Sequence, residues 1–320
     1  MKKIGVITSG GDAPGMNAAV RAVVRAALSR GAEVVGFSHG YEGIIHNESQ
    51  PLESAQVGGI IDRGGTFLRT ARSRTFMTPE GREQAYNVLL QNGCEGLVVI
   101  GGDGSLTGAL KLLEEFDYPV MGVPGSIDND ISGTDFSIGF DTAVNTAVQA
   151  IDRVRDTAYS HERVFVIEVM GRRNGFIALE AGLAGGAEAI LIPEVPFSIP
   201  DVCALLRSAA ERGKRSSIVV VAEGAARAED IKDFIEHNTK FETRHVVLGH
   251  MQRGGSPSAF DRVLALRLGA MATNRLLSGY RGEMAGVDGN KLVSHPLSYV
   301  LSTERQIDPE RLILSDSMSI

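Results

Sequence analysis

A run of apolar residues closing on two glycines and an aspartate occurs twice in this chain: Ile4-Gly-Val-Ile-Thr-Ser-Gly10-Gly11-Asp12-Ala-Pro14-Gly15-Met-Asn17 and Val98-Val-Ile-Gly101-Gly102-Asp103-Gly104-Ser105. Each has the layout of a buried strand, a glycine turn and the start of a helix. Such a turn brings bare backbone N–H groups up to phosphate oxygens, and an aspartate in it can hold Mg²⁺ between them. A third strand end, Val120-Met-Gly-Val-Pro124-Gly125-Ser126-Ile127-Asp128-Asn129-Asp130, adds two more carboxylates. In an open α/β sheet ligands bind at the carboxyl ends of the strands, so the three loops are expected to face one cleft. Neither G-x-x-x-x-G-K-[ST] nor a helix-opening G-x-G-x-x-G with an acid about 20 residues on is present, which argues against a P-loop enzyme and a dinucleotide dehydrogenase.

Apolar runs of strand length alternate with helical patterns, which predicts βαβ units and mainly parallel sheets. Strands are expected at 4–8, 33–37, 96–100, 120–123, 164–169, 189–192 and 218–222. Helices are expected at 17–30, 79–92, 105–116, 140–160, 177–185, 199–213, 228–238 and 259–278, each with Gly, Pro or Asn near its end. The long helix from Phe140 and the return of strands at Val164 point to a second α/β unit within 320 residues.

The net charge of −7 argues against a nucleic-acid binder. Within that acidic chain, 25 arginines stand against 7 lysines, the residue choice of pockets that grip anionic small molecules. Cys94 and Cys203 share no metal or disulfide spacing and fit a reducing compartment. With no charged-then-apolar leader and no run of membrane-spanning length, the expectation is a cytoplasmic protein without a membrane partner.

Phosphoryl transfer needs a held donor, a metal, a base at the attacking hydroxyl and cations around the moving group. Asp103 suits the metal. Asp128 and Asp130 would point the same way if extended, one acting as base while the other orients it or helps with Mg²⁺. Arg63-Gly-Gly-Thr-Phe-Leu-Arg69-Thr-Ala-Arg72-Ser73-Arg74 reads as a phosphate clamp. Met170-Gly171-Arg172, Ala222-Glu223-Gly224 and Leu248-Gly249-His250-Met251-Gln252-Arg253-Gly254-Gly255 each set a polar or basic group beside glycine at a strand end, and His250 with Arg253 forms a further anion site.

Several long motifs in order, Thr8–Asn17, Pro124–Asp130, Met170–Arg172 and Gly249–Pro257, closely resemble bacterial ATP-dependent 6-phosphofructokinases over essentially the whole chain. The resemblance implies two Rossmann-like three-layer α/β domains, residues 1–139 with 253–303 binding ATP and 140–252 with 304–320 binding fructose 6-phosphate, with the active site in the cleft between them. It implies phosphorylation of the sugar's 1-hydroxyl by Mg²⁺-ATP, the committing step of glycolysis. Asp128 matches the base, with Asp130 beside it, and Asp103 the Mg²⁺ residue. Gly11, Arg72, Ser73, Gly102, Asp103, Gly104 and Ser105 match donor contacts, and Gly11, Arg72 and Arg172 would offset charge on the transferring phosphoryl. Ser126, standing where Thr is usual, matches a catalytic and substrate position. Ile127, Met170, Gly171, Arg172, Glu223, His250, Met251, Gln252 and Arg253 match further sugar contacts.

Arg163 and Arg244 match residues that reach the 6-phosphate from a neighbouring subunit, which implies a homotetramer. The family's effector site for ADP or phosphoenolpyruvate is matched by Arg21, Arg25, Arg155, Gly186, Glu188, Arg212, Lys214, Arg215 and Ser216. Ser54 stands where regulated members carry Arg, which implies weaker control. Gly104 and Gly125 accompany ATP use in the family, whereas pyrophosphate-dependent relatives usually carry Asp and Lys there. The rival readings are that pyrophosphate-dependent enzyme, a non-catalytic sugar-phosphate or nucleotide sensor, and a lipid or NAD kinase sharing the Gly-Gly-Asp-Gly turn. The pair Asp103 and Asp128 disfavours the sensor, and Asp128–Asp130 with His250 and Arg253 disfavours the third.

Overall fold

The computed structural model describes residues 1–318. Its chain forms two compact units, one of Met1–Asp141 with Arg253–Arg305, the other of Thr142–Gln252 resuming at Gln306. The first unit runs β1 (Lys3–Ser9), α1 (Met16–Ser29), β2 (Glu33–Phe37), α2 (Gly40–Ile45), β3 (Ser49–Pro51), α3 (Pro79–Gln91), β4 (Leu97–Gly101), α4 (Asp103–Phe116) and β5 (Val120–Pro124). From α5 (Phe140–His161) the chain enters the second unit, with β6 (Val164–Val169), α6 (Phe176–Ala184), β7 (Ala189–Leu191), α7 (Ile199–Glu211), β8 (Ser217–Ala222), α8 (Ala228–Thr239) and β9 (Thr243–Val247). It returns to the first unit through α9 (Ala259–Leu277), β10 (Glu283–Asp288), β11 (Lys291–Pro296) and α10 (Leu297–Ser302), and ends in the second with α11 (Pro309–Met318). Short 3₁₀ turns lie at Thr75–Met77 and Gly249–Arg253.

The first sheet has the order β11-β10-β5-β4-β1-β2-β3. Its five central strands are parallel, and β11 and β3 pair antiparallel at the edges. The chain leaves β1 for β2 on one side and later enters β4 on the other, so the topological switch point falls between β1 and β4, where open α/β sheets bind ligands. Apolar residues of α2, α3, α4 and α10 pack with Ile7, Phe37, Leu97 and Val99 on one face. Helices α1 and α9 cover the other, so close together that a Cβ on Gly269 would lie 2.8 Å from the Ala19 carbonyl oxygen. Leu97 is fully buried in this core, and cutting it to Ala would cost about 2–5 kcal/mol.

The second sheet, β7-β8-β6-β9, is wholly parallel. Val164, Val166, Val219 and Val221 face α7 and α8. The alternate residues Ile167, Ile218 and Val220 are equally buried, as expected for strands covered on both faces. No helix among the described residues is long and apolar enough to cross a membrane.

All seven expected strands form, with ends shifted by a residue, as do all eight long helices. Strands β3, β9, β10 and β11 and helices α2, α10 and α11 were not expected. In β9 only Thr243 is buried while Arg244 and His245 are exposed, so an edge strand carries no apolar run. The β10–β11 hairpin did leave a signal, Gly289-Asn290 as a two-residue loop with Gly289 at φ 55°.

Candidate active site

Register gathers the candidate residues of the first unit. Ser9 pairs with Gly101 and Gly101 with Pro124, so the Gly10, Gly102 and Gly125 loops leave adjacent strands side by side. A Cβ on Gly102 would lie 3.8 Å from the Gly125 carbonyl oxygen, and one on Gly10 would lie 3.0 Å from Ser105 Oγ. Gly102 is the N-cap of α4 and offers no side-chain acceptor, and although Ser105 N already donates to the Gly102 carbonyl at 2.9 Å, the positive end of the helix dipole favours an anion at this turn. Asp103 opens this 14-residue helix as an exposed carboxylate.

The arginine-rich segment is stitched to the same loops. Thr8 Oγ1 donates to the Arg69 carbonyl at 2.8 Å and Thr70 Oγ1 to the Gly10 carbonyl at 2.6 Å. These bonds tie the backbone at Arg69–Thr70 to β1 and the Gly10 turn; Arg72, two residues on, is exposed, and Ser73 Oγ accepts from Phe76 N at 3.0 Å and starts the 3₁₀ turn. Arg253 donates to the Asp12 carbonyl at 3.3 Å, and a Cβ on Gly11 would meet its Nη1 at 2.5 Å. A side chain at Gly11 would push the Arg253 guanidinium off this turn. Arg253 ends the 3₁₀ turn Gly249–Arg253 that also carries exposed His250, and its guanidinium lies on the Gly11–Asp12 turn.

Two glycines read from sequence as marks of the donor differ in setting. A Cβ on Gly104 would meet nothing within 4 Å, whereas one on Gly125 would lie 2.8 Å from Met16 Cε. At Gly125 a side chain would have to displace the flexible end of Met16.

Asp128, Asn129 and Asp130 follow β5 as a bend, not an extended strand, because Asn129 has φ 53°. The conditional reading of two carboxylates sharing one extended face is thereby corrected. Asp128 is only 3 % exposed, its N–H donates to Ser126 Oγ at 3.2 Å, and Ser126 Oγ lies 3.5 Å from Asp130 Oδ1. Ile127 is buried below them. Ser137 Oγ donates to the Ser126 carbonyl at 2.6 Å and closes the loop.

In the second unit the carboxyl ends of β6, β8 and β9 lie side by side through the pairs Val169–Ala222 and Glu168–Val247. Gly171 has φ 144° and Arg172 φ 54°, a turn that only a residue without a Cβ makes easily at its first position. Glu223 Oε1 accepts from Arg172 N at 2.8 Å and Gly171 N at 3.3 Å, and Gln252 Oε1 accepts from Met170 N at 2.8 Å. Glu223 and fully buried Gln252 therefore shape the Met170–Arg172 turn, whereas Met251 and Arg172 are exposed.

Arg163 and Arg244 converge on one oxygen, Glu242 Oε1, at 2.7 and 2.6 Å. The hydrogen bond from Arg163, reinforced by the charges of Arg163 and Arg244, holds the Glu242 carboxyl below the usual range. Two guanidinium groups that share one anionic oxygen have the spacing a phosphate oxygen needs. Glu242 escaped sequence reasoning, although the acid two residues before Arg244 was the available signal.

Several residues matched to an effector pocket meet in the second unit. Arg155 donates to the carbonyls of Gly185 and Gly186, Lys214 pairs with buried Glu188, and Glu188 also accepts from Ile218 N. Arg212 donates to Ser208 Oγ and Arg215 to Glu162, while Ser216 is half-buried at the foot of β8. Arg21 and Arg25 lie one turn apart on α1 of the first unit; burial, then the charge of Arg25, lowers the Arg21 pKa. Ser54 is exposed.

No group of three or more His, Cys, Asp or Glu suited to a metal occurs among the described residues. The donor set instead offers hard carboxylate oxygen at Asp103 beside an anion-binding helix end. This fits Mg²⁺, which keeps its waters and is bound by one or two carboxylates together with substrate phosphates.

Comparison with known proteins agrees with this geometry. The family model described as phosphofructokinase matches residues 3–276. The ATP-dependent 6-phosphofructokinase of Bacillus mycoides (strain KBAB4) is 58% identical over 320 residues, all of both chains. Among solved structures, phosphofructokinase from Saccharomyces cerevisiae is 38% identical with a TM-score of 0.89, over 94% of this chain and 45% of that one. This chain thus spans less than half the length of the yeast protein. A pyrophosphate-dependent phosphofructokinase from Marinobacter aquaeolei, 24% identical with a TM-score of 0.86 over 97% of this chain and 86% of its own, shares the fold.

Proposed function

The chain belongs to the phosphofructokinase family, and on that premise we propose that it transfers the γ-phosphoryl group of ATP to the 1-hydroxyl of fructose 6-phosphate, giving fructose 1,6-bisphosphate and ADP. The observation that carries the reading is the loop set at the switch point of the first sheet, where a helix N-terminus, the Gly10–Gly11 turn and the Asp128–Asp130 bend leave neighbouring strands. The open space at Gly104 supports ATP over pyrophosphate. A nucleotide donor is larger, and nothing in the protein itself requires that position to lack a side chain.

In this reading Asp128 removes the proton of the 1-hydroxyl as its oxygen attacks the γ-phosphorus and ADP departs. Ser126 and Asp130 hold the bend around it. The Gly11 N–H, Arg72 and Arg172 stabilise charge on the transferring group, the largest contribution such a site can make. Asp103 would hold Mg²⁺ with donor phosphate oxygens, and the ion would neutralise charge there. Glu223, Gln252 and Met170–Arg172 form the sugar's cradle, with His250 and Met251 at its edge. Arg163 and Arg244 receive the 6-phosphate of a neighbouring copy in a homotetramer, Glu242 giving way to it. Arg155, Gly186, Glu188 and Lys214, with Arg21 and Arg25, form a site for ADP or phosphoenolpyruvate, weakened by Ser54.

An aldolase-coupled assay of fructose 6-phosphate with Mg²⁺ and either ATP or pyrophosphate tests the reading. Turnover with ATP is expected; faster turnover with pyrophosphate would assign the donor wrongly.

A further inference from the structure

Arg305 belongs to none of the motifs. It lies 176 residues from Asn129, yet its Nη1 donates to the Asn129 carbonyl at 3.0 Å and its Nη2 to the Asp135 carbonyl at 2.5 Å. One planar guanidinium thus bridges the two limbs of the loop that follows Asp128. The bond directions of that fork are fixed, so it dictates the separation of the carbonyls in a way a lysine cannot.

The loop is tied from inside by the Asn129 side chain. Its Nδ2 donates to the Asp135 carbonyl at 3.3 Å, and its Oδ1 accepts from Ser137 N at 2.8 Å and Ser137 Oγ at 3.2 Å. Asn129 itself is buried and left-handed at φ 53°. Asn is one of the few non-glycine residues that enter this region readily, and the bonds of its own side chain hold it there. The turn at Asn129 sets the directions in which Asp128 and Asp130 leave the backbone. Burial lowers the pKa of Arg305, against the raising effects of the Asp135 and Asp130 charges, so a partly desolvated cation sits close to both acids.

We propose that Arg305 is a positioning residue for phosphoryl transfer: by bridging the Asn129 and Asp135 carbonyls it holds the bend that aims Asp128 at the hydroxyl to be deprotonated. The inference rests on Asp128 as general base. A misaimed base slows chemistry without loosening a substrate held elsewhere, so the effect falls on kcat.

The test begins with fructose 6-phosphate kinase activity of the unmodified full-length protein. Arg305→Ala and Arg305→Gln are then compared for kcat, both KM values and thermal midpoint. Loss of kcat on the order of 10²-fold in Arg305→Ala is expected from a misplaced reacting group. The KM for ATP should stay within about twofold, because the donor loops are untouched. Arg305→Gln, which keeps an amide donor, should fall between and serves if the alanine variant does not fold. Added guanidinium ion should restore part of the kcat of Arg305→Ala and none of that of Asp128→Asn, a rescue that general loss of stability would not show. Unchanged kcat in both variants, or a loss that tracks the thermal midpoint and resists guanidinium, overturns the inference while leaving the assigned activity intact. An inactive unmodified protein overturns both.

Discussion

The two units present anion-binding features by different means. In the first, the groups proposed to meet a ligand are mainly backbone: the N–H groups around Gly11 and the N-terminal end of α4, placed by strand register. In the second they are side chains and turns held by other side chains, Glu223 under Met170–Arg172 and Glu242 between Arg163 and Arg244. A backbone site is preorganised as soon as the sheet forms and tolerates few side chains near it. A side-chain site depends on each supporting contact and can lose them one at a time. Substitutions should therefore act abruptly in the first unit and by degrees in the second.

The largest effect is expected from Asp128→Asn, which removes the base and leaves the backbone cradle intact. Its kcat should drop by about 10²–10⁴ with little change in ATP affinity, measured by steady-state kinetics and calorimetry. Near-normal turnover would detach Asp128 from the chemistry.

Arg244→Ala comes next, because it leaves Arg163 alone with Glu242. Losing one charge-assisted contact to phosphate, roughly 1.5–3 kcal/mol, should raise the fructose 6-phosphate KM about ten- to hundredfold. If the two arginines serve a neighbouring copy, mixing Arg244→Ala with Asp128→Asn protein after subunit exchange should give, at fructose 6-phosphate well below the Arg244→Ala KM, more activity than either protein has alone. No recovery despite demonstrated exchange would confine the site to one chain.

Glu223→Ala should act more gently, since the Met170–Arg172 turn loses an acceptor but keeps the Gln252 contact. A loss of about 1 kcal/mol, seen as a several-fold rise in sugar KM with ATP KM unchanged, is the scale of such a bond. The smallest change concerns Ser54→Arg, which should strengthen the shift that ADP or phosphoenolpyruvate produces in the fructose 6-phosphate saturation curve. A large shift at low effector in the unmodified protein would show that other cations already suffice.

The same contrast governs what could be read from sequence. Gly-Gly-Asp turns after apolar runs announced β1, β4 and the loops they feed, because buried parallel strands leave continuous apolar runs. Strand β11 and the exposed edge strand β9 lack such runs, and β10 has only the four residues Met284–Val287; all three were missed. Glu223 and Gln252 could be named from their motifs, but their work on the backbone of Met170–Arg172 appears only when the strands are in register. Arg305 left no signal at all: its partners lie 176 and 170 residues away, and nothing local marks it. The Asp128–Asp130 spacing misled for a local reason, since the sequence does not announce that Asn129 is left-handed.

The division of labour between the two units is tested most directly by calorimetric titration of ATP and of fructose 6-phosphate into two variants, Gly104→Asp and Arg244→Ala. Gly104 lies in open space, so the aspartate should leave the fold intact while opposing the donor phosphates. A crossed pattern is expected: Gly104→Asp weakens ATP about tenfold or more and spares the sugar phosphate, and Arg244→Ala does the reverse. Equal weakening of both ligands by either variant would contradict the account.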